Sequence, residues 1–415
     1  MIFNNLSSYE DILNKIESIL LNKCKNLNKP LLSHDLSFLL FEASFYKYSK
    51  EIKHKEICLN LLNDLLDSFD QIEYATGGFT ESFEGVLWLF VYLKKCNIID
   101  DDEYYKDLMP YLHDSIDLDL QSNNFDLLHG VLNKIQTLIN FYDGNNNTIV
   151  EGYVDLFIEK IYKTRIEKDN CIFWYNEIYD DGSRAINLGF AHGLPSLLVF
   201  LLKLKSNGYN DHKISLLIDG IINSLLSFSY KNSYDCFIPD IFHEDISKNK
   251  YDSSRLAFCY GDLGIAFSFL LAYKVLGRND LYNLSEKIIY RVCKRTMTTS
   301  GILHYNDYHF FDTSFCHGIS GILFILTRIN KMIKKEYLTK TIKYWNDELI
   351  YNLNIQLNIK GEIKFPFWMQ PNDGQPYIID DECILTGYSG TALILLSLIY
   401  EKDDWSEIFL LDTLS

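Results

Sequence analysis

With 415 residues, 47% of them hydrophobic and 15% aromatic, the chain carries enough apolar surface to bury a large core. That excludes an intrinsically disordered protein and a disulfide-stapled mini-fold. Its 39 basic residues stand against 56 acidic ones, a formal charge of -17, which excludes a sequence-independent grip on nucleic acid or anionic lipid.

The chain opens on MIFNNLSSYEDILNKIESILLNK, which lacks the basic start and pure apolar stretch of a secretion signal. No apolar run approaches the roughly 20 residues of a membrane span. The expectation is a cytoplasmic protein without membrane insertion. A helix without a leading glycine follows, SHDLSFLLFEASFYKYS from Ser33, and then the amphipathic EIKHKEICLNLLNDLLDSF from Glu51. From Gly77 a pattern begins to recur, in which one or two glycines lead directly into an apolar stretch of helical length. Its copies are GGFTESFEGVLWLFVYLKK from Gly77, FDLLHGVLNKIQTLINFY from Phe125, NLGFAHGLPSLLVFLLKL from Asn187, FCYGDLGIAFSFLLAYKVL from Phe258, FCHGISGILFILTRI from Phe315 and LTGYSGTALILLSLIY from Leu385. The helix from Ser33 is a weaker copy. Asp143 to Asn147, DGNNN, is a polar loop, and strand-like aromatic segments begin at Cys171 (CIFWYNEIY), Tyr234 (YDCFIPDIF) and Gly361 (GEIKFPFWM).

Successive copies lie about 45 to 70 residues apart, room for a second helix in each unit. The glycine-led helices are apolar nearly all round and the intervening ones amphipathic, so the pattern predicts buried inner helices and one-faced outer ones. The expected fold is all-α: an α/α toroid of about seven inner and about seven outer helices with short β-hairpin insertions, residues 1–415 forming one domain. In such a ring the glycine turns gather at one end of the axis.

Nine cysteines, an odd number, are scattered without the spacing of a secreted framework, so they read as thiols or metal ligands. Two of them stand in glycine turns, Cys259 in FCYGDLG and Cys316 in FCHGISG, the second beside His317. Taken alone, both fit small buried apolar residues. If equivalent turns share one end of the fold, Cys259, Cys316 and His317 converge. Two thiolates and an imidazole suit Zn²⁺, and three protein ligands leave a tetrahedral position for water or substrate, which points to catalysis rather than scaffolding.

In these contexts the triad resembles the lanthionine synthetase C-like family, the cyclases that close thioether rings in lanthipeptides, over most of the chain. Cys259 in its Cys-Tyr-Gly motif and Cys316 and His317 in their Cys-His-Gly motif match the family's zinc ligands. His192 in GFAHG matches its Gly-x-x-His-Gly histidine, Arg255 precedes the first zinc cysteine by four residues, Tyr260 follows that cysteine, and Asp126 in FDLLHG matches the active-site aspartate. Phe258 stands where the family has tryptophan, and Ser196 and Asn133 replace glycines. These departures touch packing and remove no ligand. His129 matches no functional position and reads as structural.

The resemblance implies an enzyme that adds a peptide cysteine thiol to dehydroalanine or dehydrobutyrine, making (methyl)lanthionine rings in lantibiotic biosynthesis. Zinc would activate the thiol, and His192 would transfer the proton. Arg255 would pair with Asp126 or stabilise the developing enolate. The implied partner is a dehydrated precursor of leader plus core peptide, with a separate dehydratase and an ABC transporter, an assembly that would place the chain at the inner face of the membrane. Two other readings are a carboxylate-based α/α-barrel glycosidase, which leaves Cys316 and His317 unexplained, and a non-catalytic zinc-containing adaptor that binds peptide or glutathione.

Overall fold

The computed structural model describes residues 6–24, 31–68, 78–100, 106–142, 147–209, 211–230, 236–249, 254–305, 309–358, 365–367, 377–379 and 382–413. Gly77, most of the expected loop at 143–147, the start of the segment at Tyr234 and all but 365–367 of the segment at Gly361 lie outside them.

Fourteen α-helices are present among the described residues: α1 (Leu6–Lys23), α2 (Asp35–Ser49), α3 (Ile52–Ser68), α4 (Phe83–Lys95), α5 (Met109–Ser122), α6 (Val131–Phe141), α7 (Thr148–Thr164), α8 (Leu194–Ser206), α9 (His212–Ser227), α10 (Asp262–Leu276), α11 (Asn279–Val292), α12 (Ile319–Ile333), α13 (Glu336–Gln356) and α14 (Tyr388–Tyr400). They alternate in character as their sequences dictate. The apolar α10 is buried continuously from Asp262 to Ala272. Its successor α11 buries only Leu281, Ser285, Ile288, Ile289 and Val292, the stripe that a 3.6-residue period lays on one face. The even-numbered helices follow the first pattern and the odd-numbered the second, which matches the expected two sets of seven. The weak copy from Ser33 is α2, buried from Asp35 to Phe45.

The chain divides into two compact units, one of Met1–Met109, Ile302–Phe324 and Thr339–Trp405, the other of Pro110–Gly301, Ile325–Leu338 and Ser406–Ser415. In the first, α14 packs against α1 and α2. In the second, α10 packs against α8 and α11, and Arg328 Nε donates to the Leu411 carbonyl at 2.9 Å.

The strands are short antiparallel insertions: β1 (Ile166–Lys168) with β2 (Cys171–Phe173); β3 (Glu177–Ile178), β4 (Arg184–Asn187) and β5 (Ile241–His243) in that order; β6 (His304–Tyr305) with β7 (Phe310–Phe311); and β8 (Phe365–Phe367) with β9 (Tyr377–Ile379). Ala185 of β4 faces both Glu177 and His243. Among the described residues no helix is long and apolar enough to cross a membrane.

One backbone feature defines the repeat. At Gly85, Gly130, Gly193, Gly261, Gly318 and Gly390, a Cβ would stand 1.8 to 2.6 Å from the carbonyl oxygen of the residue six positions earlier. The chain crosses itself there as it enters each buried helix, and a side chain would block the crossing. At Gly261 the φ of 92° adds a second reason, since L residues rarely adopt it. The residue just before each crossing is polar: Glu84, His129, His192, Tyr260, His317 and Ser389.

Candidate active site and metal ligands

In the second unit, the turn between α5 and α6 is built around Asp126. Its Oδ1 accepts the backbone N–H groups of Leu128 at 2.6 Å and His129 at 2.8 Å, an Asx-type turn that fixes the carboxylate. Its Oδ2 lies 2.9 Å from His192 Nδ1. Burial opposes the charge on Asp126, but the hydrogen bonds and charges of His129 and His192 outweigh it and hold the carboxyl below the usual carboxylate range. Burial likewise opposes the His192 imidazolium, and Asp126, Cys259 and Glu177 together outweigh it, so the imidazole holds its proton to higher pH than usual. The geometry assigns Nδ1–H as donor to Asp126, which leaves Nε2 as the proton-transfer atom.

The Gly-x-x-His-Gly turn brings Tyr260 to this pair. A Cβ at Gly189 would stand 2.5 Å from the Cys259 carbonyl oxygen and from the Tyr260 ring, so the first glycine permits the approach. The Ala191 N–H donates to that carbonyl at 3.2 Å. Tyr260 lies with its ring centroid 5.9 Å from that of His192, and its hydroxyl accepts from Asn187 Nδ2 at 3.2 Å. Burial pushes the phenol up to about 12, so it keeps its proton. Asn187 also donates to Glu177 at 3.0 Å and accepts from the Gly189 N–H at 2.9 Å. The charge of Arg255 acts on Asp240, which burial nonetheless pushes up to about 6.

A cavity of about 660 Å³ opens beside the pair, with Asp126 and His192 on one wall and Phe125, Trp174, Asn176 and Glu177 among its other linings. That volume lies within the range of ligand sites. His129 stands beside the pair. Its side chain is 57% exposed, so it supports no core, and its ring stacks on His192 at 5.1 Å and 11°.

Cys259 is buried in the second unit, two residues before Gly261 and the start of α10. Cys316 and His317 occupy the equivalent turn before α12 in the first unit. Both thiols thus stand near the N-terminal end of a helix, where the backbone dipoles favour a thiolate. The Cys316 N–H donates to the Leu385 carbonyl at 2.7 Å, and Phe315 packs edge-on against Phe324 and Trp405, which fixes the turn from both sides. Cys316 Sγ lies 3.6 Å from His317 Nε2. Bonds of about 2.3 Å to sulfur and about 2.05 Å to nitrogen at a tetrahedral angle place such atoms about 3.6 Å apart, so this pair fits zinc. None of the nine cysteines is joined in a disulfide. The substitutions Phe258, Ser196 and Asn133 are each fully buried, as expected of packing positions.

The hairpin residues Asn176, Glu177 and Asn187 were not foreseen as part of the site, because strands of two to four residues carry no readable period. The signal for His129 was present: it precedes a crossing glycine, as His192 and His317 do.

Nisin cyclase matches in structure with a TM-score of 0.71 over 97% of each chain, at 18% identity. An unsaturated glucuronyl hydrolase from Streptococcus agalactiae matches at a TM-score of 0.46 and 11% identity, over 97% of this chain and 93% of that one. No curated protein matches in sequence. The pattern described as lanthionine synthetase C-like protein matches residues 35–410. With the fold of nisin cyclase and that pattern over nearly its whole length, the chain belongs to the lanthionine synthetase C-like family.

Proposed function

We propose that the chain is a zinc-dependent lanthipeptide cyclase, residues 1–415 acting as one functional domain on a dehydrated precursor of leader and core peptide. Cys259, Cys316 and His317 would hold the metal. The observation that carries the reading is the Asp126–His192 pair, polarised by its 2.9 Å contact and opening onto the cavity, in a chain of this family.

Held by Cys259, Cys316 and His317, zinc would supply Lewis acidity that favours the thiolate of an incoming cysteine, whose free pKa is about 8.5. The residues do the rest. The cavity beside His192 receives the dehydroalanine or dehydrobutyrine. As sulfur bonds to the β-carbon, the C=C pair moves toward the carbonyl oxygen, and Arg255 is assigned to the enolate charge. His192 Nε2 delivers the proton to the α-carbon, which balances the proton released by the thiol. Asp126 fixes the tautomer and stabilises the imidazolium. Tyr260, hydrogen-bonded to Asn187, orients the wall of the site. The substrate must arrive already dehydrated, so a dehydratase acts before this enzyme, and a transporter assembly would receive the product.

Ring closure conserves mass, so it is read as loss of alkylatable thiol in a dehydrated peptide. One zinc per wild-type chain, with zinc and thiol loss both abolished in Cys259→Ala and Cys316→Ala, is the expected result. Thiol loss at the wild-type rate in zinc-free protein overturns the mechanism.

A further inference from the structure

Asp126, His129 and His192 form a second group of metal donors, lying within the second unit and containing no sulfur. One ligand atom from each lies within 4.8 Å of the other two. Asp126 Oδ2 and His192 Nδ1 are 2.9 Å apart, and the carboxylate is pinned by two backbone N–H groups. His129 Nδ1 stands 3.6 Å from Asp126 Oδ1 on a side chain that is 57% exposed, against 20% for His192 and 18% for Asp126. Two donors are therefore preset and buried enough to be rigid, while the third approaches from solvent. Donors on a four-coordinate ion of N and O ligands lie about 3.3 Å apart, so His129 needs to close by at most about 1.5 Å, a movement no core packing opposes.

The repeat gives an independent argument. His129, His192 and His317 each precede a glycine at which the chain crosses itself, so one backbone device presents all three imidazoles. His317 does so beside a thiol. The other two share a carboxylate.

We infer that Asp126, His129 and His192 bind a second divalent transition-metal ion, and that its binding inhibits the enzyme. Two imidazoles and a carboxylate select zinc, cobalt or nickel over magnesium or calcium, and the chain's charge of -17 attracts cations. A metal here would displace the Nδ1 proton of His192 and draw on the charge of Asp126, the hydrogen bond and the charge that fit Nε2 for proton transfer. Zinc would then serve the reaction at one site and stop it at another. The inhibitory half rests on the proposed function; the binding half does not.

The test titrates Co²⁺ and Zn²⁺ into wild type and His129→Gln with the tight site already filled, and into Cys316→Ser, which lacks that site. Expected are a second equivalent in wild type, its retention in Cys316→Ser, and an affinity at least 10-fold weaker in His129→Gln. Cobalt at this site lacks a thiolate ligand, so its spectrum shows no sulfur-to-metal charge-transfer band. Thiol loss in a dehydrated peptide should fall about 10-fold as the second site fills in wild type, and hold at its own starting rate in His129→Gln. Equal second-site affinity in wild type and His129→Gln overturns the site, as does absence of a second equivalent. Unchanged cyclisation with the site filled overturns the inhibition. If the second metal behaves as expected but no peptide is cyclised at any zinc level, the site stands and the cyclase reading falls.

Discussion

His54 and His192 each face a carboxylate through Nδ1, at 2.7 Å from Glu42 and 2.9 Å from Asp126, yet the proton is held at opposite ends of the two pairs. In the first unit, α1, α2 and α3 bring Glu17, Glu42 and His54 together as a buried group. His54 is fully buried and stacks on Phe45 at 3.7 Å. Burial pushes its pKa down to about 4 despite Glu17, while burial and the charge of Glu17 push Glu42 well up. In the second unit burial opposes both charges, but the His129 and His192 imidazoles hold Asp126 in its ionised form, and Asp126, Cys259 and Glu177 keep the proton on His192. The Glu42 carboxyl leaves Oε1 without a hydrogen-bond partner. The neighbours of the carboxylate thus decide whether a His–carboxylate pair is an inert neutral contact or a polarised proton carrier: Glu17 pushes Glu42 up, whereas two imidazoles hold Asp126 down.

The largest break of this comparison exchanges the histidines for asparagine. His192→Asn should lower cyclisation by about 10²- to 10⁴-fold, the usual worth of a general acid, while zinc per chain is unchanged. His54→Asn should leave the rate per folded molecule within about 2-fold and instead destabilise the protein by about 2–4 kcal/mol, through the lost ring stack and a buried polar replacement. Thiol-loss kinetics, elemental analysis and thermal melts on both variants check it. A catalytic defect in His54→Asn equal to that of His192→Asn would erase the distinction.

Asp126→Asn is a smaller perturbation. The amide oxygen still accepts the Leu128 and His129 N–H groups, so the turn survives, but the negative charge on His192 is gone. The rate should fall about 10- to 100-fold. Since Asp126 raises the His192 pKa, its loss should move the loss of imidazolium to lower pH. The pair's stabilising effect behaves accordingly: the Asp126 part is present above the unfolded value of about 3.9 and lost as pH falls through the folded one. The His192 part is present below about 6.5 and lost as pH rises through its folded value. The melting difference between wild type and Asp126→Asn should therefore be greatest between about pH 4 and about pH 6.5. A pH-rate profile and melts at three pH values test both halves.

How much of this was legible follows from where each feature is encoded. The buried helices could be read because apolar residues run all round them, and the glycine turns because a crossing backbone tolerates no Cβ at Gly193 or Gly261. Cys316 and His317 are neighbours in sequence, so their pairing needed no tertiary knowledge. Asp126 and His192 came through resemblance, since nothing local says that turns 66 residues apart meet. His129 was set aside although it shares the position of His192 before a crossing glycine. Glu177 and Asn187 lie on strands too short to show a period. Glu17, Glu42 and His54 sit on three ordinary helices with no motif, and only packing brings them together.

Glu42→Gln is the mildest test and the most specific to the inert pair. The folded protein holds the Glu42 proton to higher pH than the unfolded chain does. As pH rises past the unfolded value of about 4.3, the unfolded state loses this proton first, and stability declines until the folded value is reached. Glutamine cannot titrate, and its amide can still donate to His54 Nδ1. The variant should therefore melt close to wild type at pH 5 and about 2 °C higher at pH 8, with cyclisation unchanged at both. The sign is the informative part. If Glu42 were an ionised partner of a charged His54, removing its charge would lower the melting point near neutrality, and the first unit would hold a second polarised pair like that of Asp126 and His192.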